Sequence, residues 1–314
     1  MTKGFIQVIG KQLLSFLSSF LFLSLVTFLL TKASPIDPAE NYLRASNIVI
    51  TEENLAQARD YLQLNRSSIS QYISWLTSVL TGDFGISYIL KTPVLPLVWS
   101  RFCDTLLLAF PSFLLTLLLS SFLGIVSGLK KGSWFDKITY GMSLLFVSIP
   151  NFWLAYLLML YLGVYLGWLP ISGRQGGSSL ILPSLTLSLP MIGQYTALIR
   201  KEVQIQLEQP HVEMARLRGV REGRILWNHI LRNAAPTLLT GFSLAFIYLL
   251  TGSLVVEEIF SWRGLGSLFV ESLQAMDVPV IQACMLLFGS LFLLNHCFLR
   301  RMIGIIDPRL RKQN

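Results

Sequence analysis

Histidine and cysteine are the side chains that most readily hold a metal or supply a nucleophile, and this chain of 314 residues has three of each. His211, His229 and His296 are scattered, and Cys103, Cys284 and Cys297 show no metal-ligand spacing. Each cysteine lies in or beside an apolar run, where a free thiol behaves as a small buried hydrophobe. The sequence holds no H-E-x-x-H and no G-x-S-x-G. Gly128-Leu129-Lys130-Lys131-Gly132-Ser133 has the residue types of a phosphate loop in the wrong order. No metal site, cofactor or catalytic residue is expected, and the chain does not read as an enzyme. One polar, basic stretch remains: Pro210-His211-Val212-Glu213-Met214-Ala215-Arg216-Leu217-Arg218-Gly219, followed by His229-Ile230-Leu231-Arg232-Asn233-Ala234-Ala235-Pro236. Its chemistry is that of docking.

Pro210 suits a first helical position and Gly219 a C-terminal cap, which predicts a helix of two turns between them. So short a helix is unstable alone in water and needs a surface to lie on. Met214, Leu217 and Val220 fall roughly along one side, with Arg216 and Arg218 projecting elsewhere. Two readings stay open on these residues alone. The helix docks on a protein partner, or it lies on anionic lipid with its arginines reading headgroups.

The elements that must position this stretch are set by composition. The chain is 53% hydrophobic and 13% charged, with mean hydropathy +0.59. A soluble globule could not hide that much apolar surface, so the solvent for most of the chain is lipid. The net charge of +8 sits in short segments between apolar runs, which is a pattern of membrane orientation and not of nucleic-acid binding. Spanning segments must satisfy their own backbone, so the predicted fold class is an all-α integral membrane protein with six transmembrane helices. They are expected at 12–31, 105–129, 138–166, 182–198, 235–256 and 280–299. The first lacks a small-residue cleavage site and should remain as an anchor.

Basic residues alternate between sides. Lys3 and Lys11, then Lys130, Lys131 and Lys137, then Arg200 to Arg232, then Arg300 to Lys312 share one side, while the opposite short loops hold only Arg174 and Arg263. The positive-inside rule puts both termini in the cytoplasm. The expected domains are a tail and first helix (1–31), an extracytoplasmic loop or small cap (32–101), a five-helix core (102–303) with a cytoplasmic loop at 200–233, and a cytoplasmic tail (304–314). Within the outer loop, 52–64 reads as helical and 72–80 as an aromatic segment.

The spans hold almost no ionisable groups, which argues against an ion-coupled carrier. His296, beside Asn295, is the chief exception and reads as a polar pair hydrogen-bonding between helices. Gly124-x-x-x-Gly128 and Gly163-x-x-x-Gly167 have the spacing of close helix packing. Pro150 should kink the third span.

Several motifs then carry a resemblance. Glu213-Met214-Ala215-x-x-x-Gly219 is similar to the E-A-A-x-x-x-G loop of permease subunits of ATP-binding-cassette (ABC) importers, with Met214 in place of the first alanine. The stretch from His229 to Pro236 resembles the H-x-L-R-N-A-x-x-P continuation of the dipeptide, oligopeptide and nickel branch. Further matches run in order along the chain. Ser34-Pro35-Ile36-Asp37-Pro38 resembles P-G-D-P, with Ile36 for glycine. Gly82-Asp83-Phe84-Gly85-Ile86-Ser87 resembles G-D-[LF]-G-x-S, and Lys131-Gly132-Ser133-Trp134-Phe135-Asp136 resembles R-G-S-W-x-D. Ser148-Ile149-Pro150-Asn151-Phe152-Trp153 resembles S-I-P-x-F-W. The run from Glu257 to Gly266 resembles E-x-I-F-x-W-P-G-L-G, with Arg263 for proline. Asp277-Val278-Pro279-Val280-Ile281-Gln282-Ala283 and Asp307-Pro308-Arg309-Leu310-Arg311 resemble D-x-P-V-I-Q-A and the D-P-R-x-R tail.

This resemblance to a B-type permease implies a type I ABC importer fold with a long extracytoplasmic loop after the first helix. It implies a second homologous permease subunit as heterodimer partner, two cytoplasmic ATPases and an extracytoplasmic substrate-binding protein, in the inner membrane. Glu213, Met214, Ala215 and Gly219 become the ATPase-coupling motif, to which their charge adds Arg216 and Arg218. Trp262, Gly264 and Gly266 become an outer turn that meets the binding protein or gates the pore, against a reading of Trp262 as an aromatic anchor in the headgroup zone. The implied cargo is a peptide, nickel or a metal chelate. The other function classes weighed are a self-sufficient channel or ion-coupled secondary transporter, and a membrane-embedded enzyme.

Overall fold

The computed structural model describes residues 2–33, 37–173 and 176–306, with side chains from 14 to 304. Ser34-Pro35-Ile36, Arg174 and the 307–311 tail motif lie outside them, as do the side chains of Lys3 and Lys11. Along the chain run α1 (Thr2–Lys32), α2 (Pro38–Ala45), α3 (Glu52–Tyr61), α4 (Ser68–Leu80), α5 (Val94–Leu129), α6 (Trp134–Ser148) and α7 (Asn151–Leu158). There follow α8 (Ile181–Leu207), α9 (Pro210–Leu217), α10 (Glu222–Ile225), α11 (Arg232–Gly252), α12 (Leu254–Ile259), α13 (Leu265–Ala275) and α14 (Val278–Ile306). The described residues contain no strand.

Among the described residues, four helical stretches are long and apolar enough to cross a membrane: Leu14–Lys32, Val94–Leu129, Glu222–Ile259 and Val278–Gly304. The third expected span is a bent pair. Helices α6 and α7 meet at 102°. Pro150 sits extended as the N-cap of α7, and Ile149 before it is extended too (ψ 123°), because a residue preceding proline is driven out of the helical region. The fourth expected span lies inside α8, whose 27 residues make it long enough to cross at 1.5 Å per residue. It is less apolar than the others, with Ser184, Thr186, Ser188 and Thr196 buried. Pro183 falls in its first turn, where a missing N–H costs nothing, and Pro190 is carried inside the helix.

The chain divides into two compact units, residues 1–104 with 263–297, and 105–262 with 298–314. In the first, α1 and α14 pack closely. The Gln282 amide donates to Thr31 Oγ1 at 2.9 Å, and Gly289 lies so near Leu23 that a Cβ there would overlap its side chain. Helices α2 and α3 form a small core of Ala39, Leu43 and Ala58. Asp37, Thr51 and Ser67 cap α2, α3 and α4 by accepting first-turn N–H groups.

In the second unit α8 is the hub. A Cβ at Gly124 or Gly128 of α5 would stand 2.7 Å from Ile199 or Val203, and one at Gly193 the same distance from the Ser143 carbonyl of α6. The first glycine pair therefore does pack helices. Gly163 and Gly167 do not: the former lies in a π-helical turn, Met159–Tyr165, and the latter has φ +62° with open space beside it.

Candidate functional site

Helix α9 starts at Pro210 and stops at Leu217. Its end is a Schellman turn: Gly219 takes φ +73°, its N–H donates to the Arg216 carbonyl at 2.9 Å, and the Val220 N–H donates to the Ala215 carbonyl at 3.1 Å. Glycine, with no Cβ, takes that left-handed φ most readily. The seat of α9 is this chain's own second unit. Val212 and Ala215 are buried in a cluster with Ile199 and Val203 of α8 and with Ile225 and Ile230, and Val220 packs at its edge.

Of the side expected to need a surface, then, only Val220 is covered. Met214 is 52% and Leu217 83% exposed, beside exposed Glu213 and Arg218. Arg216 is turned into an exposed pair with Glu222, Nε to Oε1 2.9 Å. His211 Nε2 lies 2.9 Å from the Asn233 amide, and its ring centroid is 6.2 Å from that of His229. Among the described residues no three His, Cys, Asp or Glu side chains come together as a metal site.

The helix on which α9 sits is braced by a buried ion pair. Asp136, 2% exposed, receives Arg200 Nε at 2.5 Å and Nη2 at 2.9 Å, the Ser127 hydroxyl at 2.5 Å and the Gly132 N–H at 2.9 Å. The Arg200 guanidinium also lies over Tyr140 at 4.7 Å. At the end of α8, Lys131 pairs with Glu208 at 2.7 Å, and that lysine's hydrogen bond holds the Glu208 carboxyl below its usual range. The turn between α5 and α6 is thereby fixed to the C-terminal half of α8.

The stretch expected to form an outer turn is a bend between α12 and α13. Helix α12 ends at Ile259, and the left-handed residue is Ser261 (φ 52°), not a glycine. Gly264 is extended backbone at the N-cap of α13, and Gly266 is buried in its first turn. Trp262 is 3% exposed, so it is not a headgroup anchor in this structure. Upstream, the buried Glu257 accepts the Thr105 hydroxyl at 2.7 Å and the Ser253 hydroxyl at 2.8 Å.

A third buried carboxylate, Asp277, precedes α14. It accepts the Ser87 hydroxyl and the N–H groups of Tyr88 at 3.1 Å and Ile89 at 3.3 Å. Beside it the Asn41 amide donates to the carbonyls of Ala275 and Met276. Burial, with Asp277 nearby, pushes the Tyr88 phenol well above its usual value. Sequence reasoning missed the Asp136 and Asp277 sites. Asp136 and Arg200 are 64 residues apart, and Asp277 and Ser87 are 190 apart. Their only trace was that three of the four fell within quoted motifs.

Two differences are smaller. Cys103 is exposed, although Cys284 is buried and Cys297 partly so. His296 is exposed on α14.

Residues 120–312 match the family described as binding-protein-dependent transport system inner membrane component, and residues 5–109 match that system's membrane component N-terminal family. The chain belongs to this family. It is 33% identical over 302 residues to the oligopeptide transport system permease protein AppB of Bacillus subtilis, covering 92% of this chain and 94% of that one. It is 32% identical over 290 residues to the metal-staphylopine import system permease protein CntB of Staphylococcus aureus, covering 92% and 93%. Among solved structures it resembles a chain of the MetNI methionine ABC transporter in an inward-facing conformation, with TM-score 0.53, 17% identity, and coverage of 67% of this chain and 96% of that one.

The protein is thus an all-α, multi-pass permease subunit of an ABC importer in the bacterial inner membrane, with the type I importer fold. It is a transport subunit and not an enzyme, and it works with ATPase and substrate-binding partners.

Proposed function

We propose that α9 is the handle by which cytoplasmic ATPases move this subunit, and that the chain forms half of a pore with a second, homologous permease. The observation that carries this is the division of α9 into two faces. Val212 and Ala215 seat it on α8, while Met214, Leu217, Glu213 and Arg218 stay bare. Exposed apolar side chains flanked by both charges fit a protein cleft better than a lipid surface, which would favour an all-basic rim. Arg216, held by Glu222, braces the handle and does not reach for the partner. Force on α9 passes to α8, and through Asp136–Arg200 to the α5–α6 turn, a rigid-body switch between inward- and outward-facing states.

Both termini lie in the cytoplasm in this reading. Six spans result when α6 with α7 counts as one and α8 as another. The turn around Trp262, Gly264 and Gly266 gates the outer side. The cargo is a peptide or a chelated metal, as the names of the relatives suggest, and the binding protein selects it. The test is Leu217→Asp in the complete importer in proteoliposomes. ATP-driven uptake should fall at least tenfold, about 1.4 kcal/mol of lost coupling, with the subunit still inserted. Unchanged uptake at equal abundance would remove α9 from this role.

A further inference from the structure

The segment between the first two spans contains a helix that does not behave as part of a water-exposed cap. Helix α4 carries no charged residue in its 13 positions, SISQYISWLTSVL, although Arg66 and Asp83 lie just outside it. Its contacts give its direction along α1. Lys32 Nζ donates to Ser68 Oγ at 2.6 Å. The Tyr72 hydroxyl is 2.8 Å from Ser24 Oγ. The Phe28 ring meets Tyr72 and Trp75, with centroids 5.5 and 5.9 Å apart. Val79 and Phe20 line one apolar cavity. From Lys32 back to Phe20 is about 18 Å of helix, and from Ser68 on to Val79 about 17 Å, at 1.5 Å per residue. The two helices therefore run antiparallel. Helix α4 accompanies α1 for more than half of the stretch, Leu14–Lys32, that is apolar enough to span.

The outward face of α4 fits that depth. Ile69 is 73%, Ile73 54% and Leu80 67% exposed, at helical spacing on one side. Thr77, exposed between them, turns its hydroxyl onto the carbonyls of Ile73 and Ser74 at 2.9 and 2.8 Å. The exposed hydroxyl is thus satisfied by the helix itself, as a side chain in hydrocarbon must be. The neighbouring α1 shows the same chemistry, with Leu21, Leu25 and Leu29 exposed.

We propose that α4 is immersed in the bilayer beside α1, and that its Ile69–Ile73–Leu80 face is a lipid contact continuous with the lipid face of α1. The segment between the first two spans is then only partly a water-exposed domain. Helices α2 and α3, with Glu40, Glu52, Glu53 and Arg59 among their residues, form its aqueous part.

The experiment uses the whole importer in phosphatidylcholine–phosphatidylglycerol vesicles, with native cysteines replaced and one nitroxide attached at Ile73→Cys or, on α3, at Gln57→Cys. Collisions with dissolved oxygen report lipid, and collisions with a water-soluble nickel chelate report water. The oxygen-to-nickel ratio should be several-fold higher at position 73 than at position 57. If Ile73→Cys fails to assemble, Ile69→Cys and Thr77→Cys share its face and should give the same result. A label at position 73 as open to the nickel chelate as that at position 57 would overturn the proposal. So would a water-exposed label that loses mobility only when the substrate-binding protein is added, since that face would then be a protein-docking site.

Discussion

Helices α4 and α9 are both short, both lie apart from the regular spans, and both leave one face bare, yet the two bare faces differ in kind. That of α9 mixes Met214 and Leu217 with Glu213 and Arg218. That of α4 is apolar and uncharged, and its one hydroxyl is satisfied internally. Exposure alone says nothing about a partner in a membrane protein, where much of the apolar surface faces lipid. What accompanies the exposed apolar residues does. Charges of both signs at its edge mark a surface for protein, and their absence along a whole helix marks one for hydrocarbon.

The sharpest way to break this comparison is to put one substitution on both faces. Leu217→Asp should leave the subunit assembled and abolish coupled uptake. Ile73→Asp should do the opposite, lowering membrane abundance because a carboxylate at that depth costs up to about 3 kcal/mol. The complexes that do assemble should keep the wild-type number of ATP molecules hydrolysed per substrate. Quantitative membrane immunoblots with paired uptake and hydrolysis assays read both outcomes. Equal effects at the two sites would erase the distinction.

The brace beneath α9 comes next in size. Asp136→Asn leaves the partly exposed Arg200 without its counter-charge, a loss that should fall below the roughly 3–5 kcal/mol of breaking a fully buried pair. Thermal unfolding of the purified complex should shift markedly downward. The exchanged pair, Asp136→Arg with Arg200→Asp, should not restore it, because the Gly132 N–H and Ser127 hydroxyl that now donate to Asp136 would face a cation. Restoration by the exchange would show that charge alone matters there.

The smallest effect concerns the aqueous part of the outer segment. Burial pushes the Asp37 carboxyl up, but hydrogen bonds from Arg59 and the Ala39 N–H outweigh it and hold the group below its usual range. A depressed carboxylate contributes stability that is present above its unfolded value, near pH 4, and is lost as pH falls through the folded one. Asp37→Asn should thus accelerate amide exchange in α2 at pH 7 by no more than the fewfold expected of a half-exposed pair worth about 0–1 kcal/mol. The difference should shrink as pH falls below the unfolded value, near pH 4, and through the folded one. A difference of constant size across that range would remove the carboxylate charge as its cause.

What was legible in the sequence is what backbone chemistry announces locally. Pro210 and Gly219 bracketed α9 because one lacks a donor and the other takes a positive φ. Pro150 announced the break between α6 and α7, though not its size. Gly124 and Gly128 announced a close approach without saying to which helix. The seat of α9 was misjudged for a physical reason: Met214 and Leu217 are the more hydrophobic side chains, but the tight approach to α8 admits the small Ala215 and the compact Val212 beneath the helix. Helix α4 showed only as an aromatic segment, since nothing in 68–80 states that its neighbour is α1. The buried carboxylates Asp136 and Asp277 depend on partners far along the chain, which no local pattern encodes.

The central claim is that this subunit is a passive conduit, driven by ATPases through α9. Its most direct test is Gly219→Pro in the reconstituted importer, because proline cannot take the φ of +73° that ends α9. The account predicts an inserted, assembled complex that hydrolyses ATP while accumulating no substrate. Wild-type accumulation per ATP at equal membrane abundance would contradict it.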